Sequence, residues 1–464
     1  MVAGKEEVMS TTPRFIAVLD VGKTNVKVVV HDLETGEDVF VRTRPNAVVD
    51  TPPYPHYDME GMWAFFVDTL REASSSQRVD ALSFTTHGAT FALLAGDQLA
   101  LPILDYEFHG PDALESAYLA ARPSFAESFT PRLPGGLNAG AQIFWQARAF
   151  PDAFAKVTTI LPYPQYWAFR FTGILASERT SLGVHTDLWA PEKRDYSSFA
   201  KVEGWSRLFA PLCSAFDRLG TVTADVAART GLSSDTPVYC GIHDSNASLL
   251  PHLLGRQPPF TVLSTGTWVI VLAVGGDASA LDARRDGLCN VDAFGNPVPS
   301  ARFMGGREFD LLTGGHRQRP TQGDLRTVID GGVMVRPTFV PGCGPFPDEK
   351  GEWSTDPASL SGGVRTAAVS LYLALVARAA MAVAGAAGPI IIEGPFGRDV
   401  LFAEALQRLT NRQVAIAAGT TGTSTGAAML ALGQGGRANL PPDRSVGGVF
   451  DLSGLESYAE RWAG

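Results

Sequence analysis

The sequence predicts an α/β protein of two lobes, and three observations carry that expectation. The chain has 464 residues, more than one hydrophobic core ordinarily supports, which points to two domains. Short apolar runs rich in β-branched residues, at 15–19, 26–30, 238–240, 260–263 and 389–392, alternate with helical patterns. Finally, 48 glycines and an apolar fraction of 45% suit tight turns and close helix packing.

The first lobe opens with a three-stranded meander over residues 15–43, turning at Glu34-Thr35-Gly36-Glu37. Its first turn, Asp20-Val21-Gly22-Lys23-Thr24-Asn25, sets an acid, a glycine, a lysine and a hydroxyl in succession. Glycine lets backbone N–H groups approach an anion closely, Thr24 and Asn25 can donate to phosphate oxygens, and Asp20 can hold Mg²⁺ through water. A polar hairpin turn is the plain alternative. Residues 57–63 precede a helix to about Ala73, and a buried strand at 81–84 leads to Thr86-His87-Gly88. A His-Gly pair at a strand end is either a binding residue or a satisfied polar one. The turn-rich stretch from Gly220 to Asp235 reads as a connector, giving a first lobe at 14–235 and a second at 236–440.

The second lobe begins with a strand at 238–240, then His243-Asp244 and a helix-like run at 247–254. Asp244 is a candidate general base, the alternative being a helix N-cap. The strand at 260–263 ends in Ser264-Thr265-Gly266-Thr267, a hydroxyl-rich turn around glycine suited to cradling phosphate. A base beside a phosphate cradle indicates phosphoryl transfer, in which positioning and charge stabilisation do most of the catalysis. Residues 302–308 read as a loop with a packing or substrate-side role, and 345–352 as a surface loop. The most apolar segment, 367–387, is alanine-rich and interrupted by Arg378, so a core helix is expected and no membrane span. A strand follows at 389–392, then Glu393-Gly394-Pro395-Phe396-Gly397-Arg398, a helix at 401–410 and a strand at 414–416. The small residues of 423–429 suit close helix packing, and the chain from about Gly435 reads as a tail either docked on the surface or poorly ordered.

A net charge of −10, with no cluster of lysine and arginine, argues against polynucleotide partners. Cys213, Cys240, Cys289 and Cys343 lack C-x-x-C spacing and read as reduced thiols of a cytoplasmic protein. The opening MVAGKEEVMSTTPR resembles neither a secretory signal nor a transit peptide, and residues before about Pro13 are expected to be disordered.

Residues 20–27, Asp-Val-Gly-Lys-Thr-Asn-Val-Lys, resemble the first phosphate motif of the FGGY carbohydrate kinases. Residues 261–268 resemble their second phosphate motif, and the segment holding Asp244 their catalytic-base segment, in the family's order from about residue 14 to about 434. The resemblance implies two ribonuclease H-like lobes of the actin and hexokinase superfamily around a central cleft, with sugar mainly on the first lobe and ATP mainly on the second. It implies a phosphate and nucleotide site of Gly22, Lys23, Thr24, Asn25, Lys27, Thr265, Gly266 and Thr267. The adenosine motif falls at Gly394 and Gly397, where Pro395 breaks the usual glycine run and removes a possible donor. Mg²⁺ would be held by Asp20. The sugar would meet His87, Gly88, Glu107, His243 and Asp244. Two departures bear on the substrate: Glu107 stands where the family usually has a sugar-binding aspartate, and Asp105 where tryptophan is common. Gln142 likewise replaces the lysine of the family's K-x-x-W signature.

The His243-Asp244 pair and Gly266-Thr267-Trp268 are similar to the rhamnulokinase and fuculokinase branches, which implies transfer of the γ-phosphate of ATP to a 6-deoxyketose. Trp268 would suit a methyl-bearing sugar or be a core residue. The changed 105–107 loop keeps xylulose, other ketoses and polyols as acceptors. Two other classes compete: a sugar- or nucleotide-sensing protein that has lost turnover, and an actin-like assembling ATPase. No partner beyond a small sugar is expected, with a homodimer left open.

Overall fold

The structure, a computed structural model, describes residues 13–315, 318–418, 422–438 and 440–463. The expected disorder before Pro13 lies outside the described residues.

The first lobe grows from the meander. Strands β1 (Phe15–Val21), β2 (Asn25–Asp32) and β3 (Glu37–Pro45) pair antiparallel in sequence order. Helix α1 (Met59–Ser76) starts where the Asp58 side chain accepts the Gly61 N–H. Its Met62, Phe66, Leu70 and Ala73 form one buried stripe against the sheet. The crossover through α1 allows β4 (Ala81–Thr86) to lie parallel to β1, and every residue of β4 is buried. Helix α2 (Ala139–Ala149) belongs to a second apolar cluster of this lobe. In place of the family lysine, Gln142 of α2 donates to the Ala89 carbonyl at 2.6 Å and to that of Gly136.

Strands β5 (Pro237–Tyr239) and β6 (Ile242–His243) then pair parallel with β4, and α3 (Asp244–Gly255) follows directly. This corrects the expected boundary at 235–236. The turn-rich run before Pro237 is a tight connection within the first lobe, and the chain changes sheet only at 256–259.

The second sheet starts with β7 (Phe260–Thr265), β8 (Val269–Val274) and β9 (Pro297–Phe303), again antiparallel in succession. The stretch 302–308 is therefore no loop: it is the end of β9 and the start of α4 (Gly305–Thr313). Its two glycines mark close packing, since a Cβ on Gly306 would lie 2.1 Å from the Gly266 carbonyl oxygen. Glu308 is a packing anchor, accepting the Tyr372 hydroxyl at 2.8 Å and the N–H groups of Phe339 and Val340 at 2.9 and 3.2 Å.

Helix α5 (Gly362–Val383) has the length and hydropathy of a membrane span, yet 83% of its apolar window is buried in the second-lobe core. Each such Leu or Val contributes about 1.5–3 kcal/mol on burial. Next, β10 (Ile390–Glu393) lies parallel to β7, α6 (Val400–Thr410) follows, and β11 (Val414–Ile416) lies parallel to β10. The two sheets thus share one order, β3-β2-β1-β4-β5 and β9-β8-β7-β10-β11, the duplicated ribonuclease H-like arrangement.

Helix α7 (Thr423–Met429) returns to the first lobe and packs on β1, β4 and α3. A Cβ on Gly426 would fall 1.7 Å from the Ala247 carbonyl oxygen, and Ser83 donates to the Ala427 carbonyl at 2.7 Å. The expected surface tail also needs correction. Strand β12 (Arg444–Ser445) extends the second sheet, and α8 (Leu455–Ala463) buries Leu455, Tyr458 and Trp462 in its core. Trp462 donates to the Val335 carbonyl at 2.7 Å, so the second lobe continues past residue 440.

Candidate active site

Asp244 is the first residue of α3, where β6 ends. His243 occupies the cap position, so Asp244 is not the N-cap. Its carboxylate, 28% exposed, takes the Ser245 N–H at 2.6 Å and lies 3.1 Å from His243 Nε2. Burial lifts the Asp244 carboxyl to about 6, the neighbouring His87 and the Ser245 N–H partly opposing it. Burial pushes His243 down to about 4, so this imidazole is neutral at pH 7. Asn246 Nδ2 is 3.2 Å from His243 Nδ1; with the amide as donor, the ring proton sits on Nε2, the nitrogen nearer Asp244. Gly88 makes room for this ring, because a Cβ there would meet His243 Nε2 at 2.8 Å.

Asp244, Ser245, Ser264, Glu393 and Thr423 line a cavity of about 150 Å³ between α3 and the β7–β8 face. Four hydroxyls from three separate segments, Ser245, Ser248, Ser264 and Thr423, form a donor set suited to phosphate oxygens beside the aliphatic wall of Leu249, Val262, Ile270 and Leu272. On its deep side, Glu393 Oε1 lies 2.7 Å from His252 Nε2, and Arg256 bridges His252 to Asp443.

Asp20 faces Lys27 across the β1–β2 pair, with Lys27 Nζ 3.5 Å from its Oδ2. The same oxygen accepts the hydroxyls of Thr423 and, at 2.8 Å, Ser424. One carboxylate with neighbouring hydroxyls is an all-oxygen set that fits Mg²⁺, which takes one or two carboxylates and completes its shell with phosphate and water. Among the described residues no group of three or more His, Cys, Asp or Glu forms a self-sufficient metal cage. In the turn, the Gly22 N–H closes on the Asn25 carbonyl at 2.9 Å and is not left to meet an anion. Thr24 and Asn25 stand exposed at its tip.

Lys23 departs from the phosphate role. Its ammonium pairs with Asp105, lies 3.1 Å from Glu107 Oε2, and sits 4.8 Å above the Tyr106 ring. The inward acid of the 105–107 loop is Asp105, which also takes the Tyr57 hydroxyl at 3.2 Å; Glu107 is 63% exposed. His87 is buried among the rings of Tyr57, Tyr106 and Tyr163, each 5.2 Å away, and burial lowers it to about 4.

At the second turn, the Gly266 N–H donates to the Trp268 carbonyl at 2.8 Å. Thr265 is committed internally: its hydroxyl donates to the Glu393 carbonyl and accepts the Phe396 N–H at 3.1 Å. Thr267 is the exposed hydroxyl of this turn. Gly394 has φ +82, and a Cβ there would lie 2.1 Å from the Thr265 carbonyl oxygen. A Cβ on Gly397 would meet Ile416 at 2.7 Å. Both glycines are thus required by packing around the strand ends. Trp268 is half-buried, with the Arg302 guanidinium 4.9 Å from its ring, so it is not a core residue. Sequence reasoning assigned 423–429 to packing alone and so missed Thr423 and Ser424. Their hydroxyl-rich run ahead of a glycine, like that of 264–267, was the available signal.

Across its length the chain is similar to a crystal structure of a carbohydrate kinase from Novosphingobium aromaticivorans. The two share 37% identity, the match covers 96% of this chain and 99% of the other, and the TM-score is 0.89. The family described as carbohydrate kinase FGGY, C-terminal domain, matches residues 257–439. The chain belongs to the FGGY carbohydrate kinases. That match starts where the chain leaves α3 for the second sheet. Among curated FGGY relatives, an L-fuculokinase from Salmonella typhi is 26% identical over 290 residues, 60% of this chain. The chain spans about three fifths of that relative's length, 61%. A glycerol kinase of Plasmodium falciparum, solved with ADP, shares the fold at TM-score 0.76 and 13% identity, covering 97% of both chains.

Proposed function

We propose that this FGGY protein transfers the γ-phosphate of ATP to a hydroxyl of a ketose, first of all a 6-deoxyketose such as L-fuculose or L-rhamnulose. The observation that carries the reading is Asp244 at the start of α3, on the hydroxyl-lined cavity and beside His87 and His243. Held near 6, its carboxylate is largely ionised at neutral pH and is a stronger base than a free aspartate. Neutral His243 packs beside it, with Nε2 3.1 Å from the carboxylate. Asp244 takes the proton of the acceptor hydroxyl as that oxygen bonds to the γ-phosphorus and the bond to the ADP oxygen breaks. Asp20, fastened by the Thr423 and Ser424 hydroxyls, would hold Mg²⁺, Ser264 and Thr267 offer hydroxyls to the phosphate end, and Thr24 and Asn25 lie at the tip of the first turn. Bound Mg²⁺ supplies positive charge against the phosphate oxygens.

The L-fuculokinase similarity and the half-buried Trp268 support a methyl-bearing acceptor. The 105–107 loop supports xylulose or a polyol as the second reading, since its inward acid is Asp105. Cytoplasmic residence accompanies this function, supported by four free thiols. A coupled ADP-release assay over ketoses and polyols tests the reading. Release that depends on one sugar class supports it; ATP hydrolysis at the same rate with and without sugar, or none with any sugar, sinks it in favour of an assembling ATPase or a sensor.

A further inference from the structure

The acceptor end of the cleft carries an ion triplet for which phosphate transfer itself has no use. The Lys23 ammonium is held by the Asp105 carboxylate and, at 3.1 Å, by Glu107. It sits over the Tyr106 and Tyr57 rings at 4.8 and 5.5 Å from their centres. Those rings also flank His87, which is 5% exposed and whose Nε2 has no hydrogen-bond partner. A buried ring nitrogen left unpaired is costly and marks a place that a ligand's polar group completes. The Tyr57 and Tyr106 rings thus border both the triplet and this unpaired nitrogen.

We infer that Lys23, Asp105 and Glu107 form a charge filter that selects neutral polyhydroxylated acceptors and turns away sugar acids. The inference rests on the kinase reading and names the acceptor class within it. An ammonium has three donors; here carboxylates occupy two directions and aromatic faces the rest. No unengaged cation of the triplet remains to pair with a carboxylate on the acceptor, and two acids against one base leave surplus negative charge. At about 6 Å and an effective dielectric of about 20–40, that surplus disfavours an anionic acceptor roughly tenfold to a hundredfold.

The test compares kcat/KM, with ATP and Mg²⁺, for L-fuculose, L-rhamnulose, D-xylulose and xylitol against D-gluconate and D-xylonate. The best neutral acceptor is expected to lead both acids by at least about tenfold. Glu107→Gln, at an exposed side chain, is expected to narrow that ratio about tenfold by raising turnover of the acids. Lys23→Met is expected to widen it. Acids used as well as neutral sugars, or a ratio unmoved by Glu107→Gln in a protein that melts like the parent, would overturn the filter. If nothing in the panel promotes ADP release, the kinase reading fails separately. Thermal shifts of the Asp244→Asn protein with the same compounds then still decide the filter: stabilisation by neutral compounds alone supports it, and equal stabilisation by acids overturns it.

Discussion

Asp20 and Ser424 stand 404 positions apart in the chain and are joined by a 2.8 Å hydrogen bond from the serine hydroxyl to the carboxylate. The acid suited to Mg²⁺ is thereby fastened to the helix by which the chain returns to the first lobe. Any shift of α7 against the first sheet moves both the Thr423 and Ser424 hydroxyls relative to Asp20.

The seat of α7 is set by Gly426, where a Cβ would fall 1.7 Å from the Ala247 backbone oxygen. Gly426→Ala must separate α7 from α3, and overpacking of this kind costs about 1–3 kcal/mol or more. A lower midpoint in urea is expected, together with a higher Mg²⁺ requirement for turnover. An unchanged midpoint would show that the backbones give way without cost.

Asp244→Asn should separate activity from stability. Loss of the base lowers sugar-dependent ADP release by about 10²–10⁴. Burial holds the folded carboxyl near 6, above its ordinary 3.8, so folding favours the neutral form, and the associated stability is lost as pH rises through about 6. Allowing for partial solvent access, the amide should be about 1–2 kcal/mol more stable than the carboxylate above pH 7. Calorimetry at pH 7.5 and an ADP assay on the same sample check both halves.

For the wild-type protein the same value fixes the acid limb of the rate profile. Below about pH 6 protonation of Asp244 removes the base, so kcat/KM should fall by about tenfold per pH unit. His243, already neutral at pH 6, adds no second step there. A profile flat down to pH 5 would take Asp244 out of the base role.

What the sequence disclosed was local. Alternating apolar runs disclosed the meander, and short strings around Gly22, His87, Asp244 and Gly266 disclosed the turns between strands. The direction of Lys23 was not legible, because a flexible four-carbon stem reaches in any direction and its partner Asp105 is 82 residues away. Three residues at 237–239 read alike in either lobe; only pairing with β4 assigns them to the first. The amphipathic stripe of α8, Leu455, Tyr458, Ala459 and Trp462, follows the helical period but is too short to stand out beyond a polar, glycine-rich stretch. Thr265, Gly394 and Gly397 drew attention as ligand-facing residues, yet their neighbours show packing demands that no local pattern carries.

Glu178 gives the remaining prediction, because it supports Asp244 without touching the cleft. Its buried carboxyl accepts the Thr180 N–H at 2.9 Å and the Thr180 hydroxyl, and that hydroxyl accepts the His243 N–H at 3.0 Å. Burial raises Glu178 from 4.5 to about 7. Its neutral form is thus favoured in the folded state, and the stability it contributes is full below about pH 4.5 and lost as pH rises through 7. Glu178→Gln keeps the acceptor and cannot ionise, so its stability relative to wild type should improve between pH 5 and pH 8, by up to about 3 kcal/mol. Glu178→Ala leaves the Thr180 donors unpaired, costs about 1–3 kcal/mol relative to Glu178→Gln at either pH, and frees the loop that seats His243. Urea titrations of the three proteins at pH 5 and pH 8 decide the point. A gap between wild type and Glu178→Gln that stays constant with pH would mean that the buried carboxyl does not titrate in this range.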